Sequence, residues 1–463
     1  MGKIIRRGIL IIFFGLLFLV GKEKLEQWYQ EETQATVSNV MQMIPEPSEL
    51  KKKEIVIEKI REEVELPQVY DYRQEGRDIP VRDQGRYGTC WAFAALTAME
   101  TALMPEELMD FSRDHLNFQN HYLLSTEEGG SYIMSVAYLT SWQGPVLEED
   151  DPYGDNVSTE GLSAVKHVQE VRMPDYKDYQ AVKQTVYLYG GVESSLYVDF
   201  TNSQEESDYF NREYSSYCYN GPEEPNHDIV IIGWDDTYPA ENFSVEVQGD
   251  GAFICQNSWG TSFGEEGIFY VSYYDTNIGS YSVAYTKVED VDNYDVLYQS
   301  DLCGWSGQIG YNSDTGCFAN VYEATSDQEI QAVGFYATGG DTEYYLAVIP
   351  NFQDESSLEN LEYVQGGYLQ YTGFYTVKLE TPVSLEAGQK FAVAVRVKTP
   401  ESTYPIAAEF ALSEFGEAVD LSDGEGYISS DGRNWENVED TQNSNLCLKV
   451  YACEKEIESE ENQ

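Results

Sequence analysis

Basic residues are scarce in this chain. Its 463 residues carry 28 Lys and Arg against 81 Asp and Glu, a net charge of −53. Phosphate backbones are gripped by clustered Lys and Arg, so nucleic acid is excluded as a partner. Adhesion to an anionic membrane surface is excluded for the same reason. What remains is a solvated, self-repelling surface of the kind that keeps an extracellular protein soluble. Asp290, Asp292 and Asp295 lack the Gly and the distal Glu of a calcium loop. No metal or cofactor is therefore expected. Cysteine is also sparse: seven residues rule out a disulfide scaffold, and an odd number leaves at least one thiol unpaired. Cys303 and Cys317 stand near enough in sequence to pair, as do Cys447 and Cys453. The sequence leaves both pairings open. Histidine is rarer still, with four residues.

Long apolar runs are missing except at the start. Lys3, Arg6 and Arg7 precede a run from Gly8 to Val20. That run is shorter than the roughly 20 residues of a membrane span and fits the core of a targeting signal. Residues 1–21 are read as a signal peptide or signal anchor, since GKEKLEQ after them offers no small-x-small cleavage site. Residues 22–65 are charged and polar and read as a pro-segment or linker, with a short amphipathic helix expected after Pro47. The chain as a whole is 42% hydrophobic, with 37 Tyr and 37 Gly, a composition that favours strands and turns.

Three segments carry chemistry. WAFAALTAMETALM follows Cys90 with no Gly or Pro until Pro105, which places Cys90 at the N-terminus of a buried helix. Unpaired N–H groups and a partial positive charge collect there and favour a thiolate. A lone free cysteine is more often an inert core residue, so Cys90 needs partners. His227 is the one histidine that leads an apolar strand, IVIIGW. His115, His121 and His167 sit among polar residues and are expected at the surface. Asn257 opens a Gly-framed loop before a second strand, IFYVSYY. Its carbonyl can hold an imidazole in one tautomer, and Trp259 beside it can keep water off that bond. Nucleophile, base and orienting group make an acyl-transfer set.

At these residues the chain resembles the papain-like cysteine peptidases. QGRYGTCWAF at Gln84–Phe93 is similar to the family's Q-G-x-C-G-S-C-W-A-F, NHDIVIIGWDD to its His motif, and NSWGTSFGEEG to its Asn motif. His227 falls inside the family window of about 130–150 residues after the nucleophile, and Asn257 slightly beyond it. The excess fits an insertion over Thr237–Gly249, expected as a hairpin. The resemblance implies Cys90 as nucleophile, His227 as base, Asn257 as orienting group, and Gln84 with the Cys90 N–H as oxyanion hole. It further implies substrate contacts from Gly129, Gly130 and Tyr132, from Asp228, and shielding by Trp259. Asp228, where a small residue is usual, would either favour a Lys or Arg side chain two residues before the cut or turn away to bond a backbone N–H or a neighbouring Tyr. Tyr87 stands where the family usually has a disulfide cysteine. Residues 22–65 lack the family's long helical pro-region motif.

The implied fold is α+β over residues 66–287, a helical half carrying Cys90 and a β-barrel-like half carrying His227 and Asn257. Residues 294–453 change texture to short alternating runs between Gly, Pro and Asp turns. These predict an antiparallel β-sandwich that folds as a unit of its own. With SSDGRNW at Ser429–Trp435, the sandwich resembles the lectin-like module of some exported bacterial peptidases. Residues 454–463 read as a disordered acidic tail. The expected function is an exported or surface-held cysteine endopeptidase acting on protein or peptide, with a carbohydrate or cell-surface ligand for the sandwich. The alternative is a surface adhesion protein whose peptidase fold is inactive; the intact Cys90, His227, Asn257 and Gln84 favour the enzyme.

Overall fold

The computed structural model describes residues 55–122, 124, 126–200, 205–411, 419–422 and 424–455. The expected signal at 1–21, and nearly all of the acidic tail, lie outside them. Four helices, α1 (Cys90–Leu103), α2 (Arg113–Gln119), α3 (Tyr132–Thr140) and α4 (Tyr179–Tyr189), belong to the first half of the chain. α1 is built from Ala, Leu, Met and Thr with no breaker inside it. It is buried on nearly every face, so it runs through the middle of the domain. Its one charge, Glu100, is fully buried and bonded to Arg113 and Arg82.

The strand half is organised around β4 (His227–Asp235). It lies between β3 (Val192–Leu196) and β5 (Ala252–Gln256), all antiparallel, with β6 (Ile268–Ser272) next and β1 (Val69–Asp71) crossing its far end. The β-branched residues of β4 suit a pleated strand covered on both faces. Gly233 sits where β1 crosses: a Cβ there would stand 2.2 Å from the Tyr70 carbonyl oxygen. The insertion over Thr237–Gly249 forms a 3-10 turn at Ala240–Asn242, not the expected hairpin. It caps a small cluster of Cys218, Tyr238 and Phe243.

The C-terminal region is the antiparallel sandwich. A six-stranded sheet and the far end of a thirteen-stranded one enclose Phe318, Phe335, Leu346, Phe391 and Val450. The larger sheet does not stop at the expected boundary near residue 294. β2 (Lys166–Met173) of the first half pairs through Glu170–Met173 with Thr372–Tyr375 of β8 (Thr372–Leu385, so numbered after β7, Ser282–Asp290, which flanks β2 on its other side). Tyr336, Phe374 and Cys447 of the sandwich share one core with α1 and β4. Trp142 stacks on His167 with 3.8 Å between ring centroids, and His167 Nδ1 bonds to Asn293 Oδ1 at 2.7 Å.

Several expectations meet corrections here. Residues 55–65 form no helix; they lie extended across the seam between the two regions. Lys59 and Arg61 pair with Glu343 and Asp341 of the sandwich. Glu62 takes Arg172 and Tyr189 of the first half and donates its N–H to Gln370 of the sandwich. His115 and His167 are buried, not at the surface. All seven cysteines are free. Cys303 sits against the first half's core, and Cys317 beside Gly432, so the pair considered from sequence is apart.

Candidate active site

Cys90 is the first residue of α1 and is partly exposed. Thr89, the N-cap, makes no side-chain bond to the helix N–H groups. The Ala92 and Phe93 N–H groups reach the Thr89 carbonyl instead, and the Trp91 N–H turns to the Cys90 sulfur, where the partial charge of the helix start favours a negative atom. His227 begins β4 across the cleft. The N–H of the next residue, Asp228, reaches the Cys90 thiol, so the strand end and the helix start meet.

Asn257 Oδ1 lies 2.8 Å from His227 Nε2. The same oxygen accepts the Ser258 N–H at 2.7 Å. A backbone donor can face only the carbonyl end of the amide, so the Asn257 orientation is fixed. Nε2 must then carry the proton, which leaves the Nδ1 lone pair free as a base. Trp259 covers the ring, with centroids 4.5 Å apart and planes inclined by 30°. Phe200 and Phe263 hold the indole from behind. His227 and Asn257 are both buried.

Gln84 is buried and held at both ends. Its Oε1 accepts from Ser258 Oγ at 2.6 Å, and its Nε2 donates to the Tyr87 carbonyl at 2.8 Å. An amide nitrogen has two donors, so one remains for a substrate oxygen. The loop with Asn257 and Ser258 thus orients both the His227 ring and the Gln84 amide. Gly129 has φ +83°, which an L side chain rarely adopts. Gly130 packs so close to Trp91 that a Cβ would stand 2.4 Å from the indole. Tyr132 opens α3 and packs on Tyr281.

Burial dominates the electrostatics. It pushes the Cys90 thiol up to about 12, helped by the Asp228 carboxylate and opposed by the N–H groups of Asp228 and Trp91. It pushes His227 down to about 4, against the bond to Asn257. Each group alone resists its charged form. Asp228 is raised to about 6, again by burial, while Ser195 Oγ donates to its Oδ1 at 2.6 Å.

Glu193 was not singled out from the sequence, where VESSL reads as an ordinary strand. Its side chain is buried, its Oε2 has no partner, and burial beside Asp228 raises it well above the usual carboxyl range. In the antiparallel register Ser195 faces Asp228 and Glu193 faces Val230, so these four share one face. Both carboxyls act electrostatically on Cys90.

Comparison with known proteins adds to this geometry. Residues 66–288 match the model of the papain family cysteine proteases, and residues 297–452 match that of a lectin-like domain. A probable cysteine protease of Arabidopsis thaliana, RDL6, is 29% identical over 209 residues, 44% of this chain. The match spans just over half of that relative's length, 54%. The solved structure of Cwp84, a clostridial cysteine protease, after propeptide cleavage is 25% identical with a TM-score of 0.73. That likeness covers 84% of this chain and 99% of that one. A second structure, of the protease and lectin-like domains of Cwp84 from Clostridium difficile, has a TM-score of 0.72 at 24% identity, over 85% of this chain and 90% of its own. Cwp84 is a surface layer associated protein.

Proposed function

Since residues 66–288 belong to the papain family of cysteine proteases and residues 297–452 form a lectin-like domain, we propose that this chain is an exported endopeptidase that cleaves peptide bonds through a thioester on Cys90. The His227–Asn257 bond, fixed by the Ser258 N–H and roofed by Trp259, carries the proposal. A histidine held so can take the thiol proton on Nδ1 as sulfur attacks the peptide carbonyl. The oxyanion then meets the Cys90 N–H and the free donor of Gln84 Nε2. His227 passes its proton to the leaving amine, and water, deprotonated by the same ring, releases the acid. The test is hydrolysis of a fluorogenic peptide. Wild type should turn over, and Cys90→Ala should be inert at an unchanged melting temperature. Turnover by Cys90→Ala at the wild-type rate would end the proposal.

Substrate preference follows from the carboxyls beside the nucleophile. Gly129 and Gly130 offer open backbone to an extended peptide, with Tyr132 on one wall. Asp228, half-buried, and the buried Glu193 behind it favour a Lys or Arg side chain two residues before the cut, because a cation there would offset both carboxyls. The N-terminal basic and apolar segment supports export, and the surface layer association of Cwp84 supports a place at or outside the cell surface. The lectin-like domain is assigned a carbohydrate or other cell-surface ligand.

A further inference from the structure

The turn from Gln84 to Thr89 must place two oxyanion donors at once, the side chain of Gln84 and the N–H of Cys90. Its backbone is pinned on one side by the strand half, where Gln84 N donates to Ser258 O at 2.8 Å. On the other side stands Tyr153, from the loop that follows Pro152. Its hydroxyl donates to the Gln84 carbonyl at 2.9 Å and lies 2.7 Å from Thr89 Oγ1. Having donated its one proton to Gln84, it accepts from Thr89. One hydroxyl therefore ties the residue that carries the hole's side chain to the residue that precedes the nucleophile.

The loop bearing Tyr153 is itself braced. Tyr153 N donates to Glu148, Gly154 N donates to Asp114 of α2, and Asn156 Nδ2 donates to the Tyr87 hydroxyl. The Tyr153 ring meets Phe93 of α1 edge-on, with centroids 4.8 Å apart. Ring and hydroxyl have separable jobs: the ring packs, and the hydroxyl sets the spacing of the turn.

We propose that Tyr153 is a positioning residue for the oxyanion hole, acting through Gln84 and Thr89 and touching no substrate atom. The inference rests on the peptidase reading given above. Tyr153→Phe keeps the ring and removes the bond. It should lower kcat on a peptide substrate by about tenfold to a hundredfold, with KM little changed, as misplaced donors do elsewhere. Alkylation of Cys90 by iodoacetamide forms no oxyanion and should proceed at the wild-type rate, which also reports an intact fold. In a Gln84→Ala background the same substitution should add little, because both changes act on one unit. An unchanged kcat, an equal fall in alkylation and hydrolysis, or full additivity with Gln84→Ala would each overturn the role of Tyr153. Failure of wild type to hydrolyse peptides would overturn the peptidase reading first, and this inference with it.

Discussion

Glu100 in the helical half and Glu193 in the strand half are both almost wholly buried, at 0% and 3% exposure. Only Glu100 is met by cations. Arg113 and Arg82 reach it, and the Phe111 N–H completes its shell. Glu193 has no ion pair among the described residues, and its Oε2 has no hydrogen bond. The helical half pairs its charge, and so fixes α1 and with it Cys90. The strand half leaves two carboxyls raised by burial beside Cys90, where an arriving cation would favour their charged forms. A satisfied buried charge holds position; an unsatisfied one keeps bonding capacity for a ligand.

The largest effects should fall on the reacting groups. Cys90→Ala and His227→Ala should each lower peptide hydrolysis by about 10⁴–10⁶, since members of a catalytic unit fail together. Asn257→Ala and Gln84→Ala should each leave partial activity. A far smaller loss from His227→Ala than from Cys90→Ala, read in single-turnover kinetics, would break the pairing of the two halves.

Stability should divide the glutamates. Glu100→Gln removes the buried charge that Arg113 and Arg82 share, leaving them Asp110, and should cost about 3–5 kcal/mol in urea unfolding. Glu193→Gln removes a group that resists ionisation and should leave the unfolding midpoint unchanged or higher. Equal losses would erase the contrast.

The seam provides the next test. A chain ending at residue 290 leaves β2 without its β8 partner and uncovers the core shared with Tyr336 and Phe374. It should melt below the full chain and bind a hydrophobic dye more strongly. Equal melting would return the sandwich to the independent unit expected from its strand rhythm.

The smallest effect is in pH. Asp228, raised to about 6, is neutral below that value and charged above it. Preference for Lys over norleucine two residues before the cut should therefore grow as pH rises through about 6, read as a ratio of kcat/KM so that titration of Cys90 and His227 cancels. Burial raises Glu193 beside it as well. Asp228→Ala should flatten the ratio; an unaltered rise in that variant would remove Asp228 from recognition.

Much of the site could be read from sequence because its chemistry is local. Cys90 heads an unbroken helix-forming run, His227 heads an apolar strand, and Asn257 opens a Gly-framed loop. The neighbours that tune them were invisible because they are remote in the chain. Tyr153 reaches Gln84 across 69 residues and Ser258 reaches it across 174. Glu193 sits in β3, all five residues of which are buried between β4 and β7. FSRDHLNF looked polar and exposed. Arg113 paired with Glu100, Asp114 bonded to Gly154, and His115 Nδ1 at 2.6 Å from the Tyr138 hydroxyl instead let α2 sink into the core. The strand rhythm after residue 294 predicted a sandwich, but no alternation of residues announces that one of its strands pairs with β2.

The central claim is that Cys90 is a nucleophile served by His227. Intact-mass and peptide mapping after treatment with an epoxysuccinyl peptide probes it directly, since that reagent needs both a reactive sulfur and a proton relay. One adduct per chain should form, on Cys90, lost in Cys90→Ala and strongly slowed in His227→Ala. No adduct on wild type, or an adduct carried by the partly exposed Cys453 instead, would contradict it.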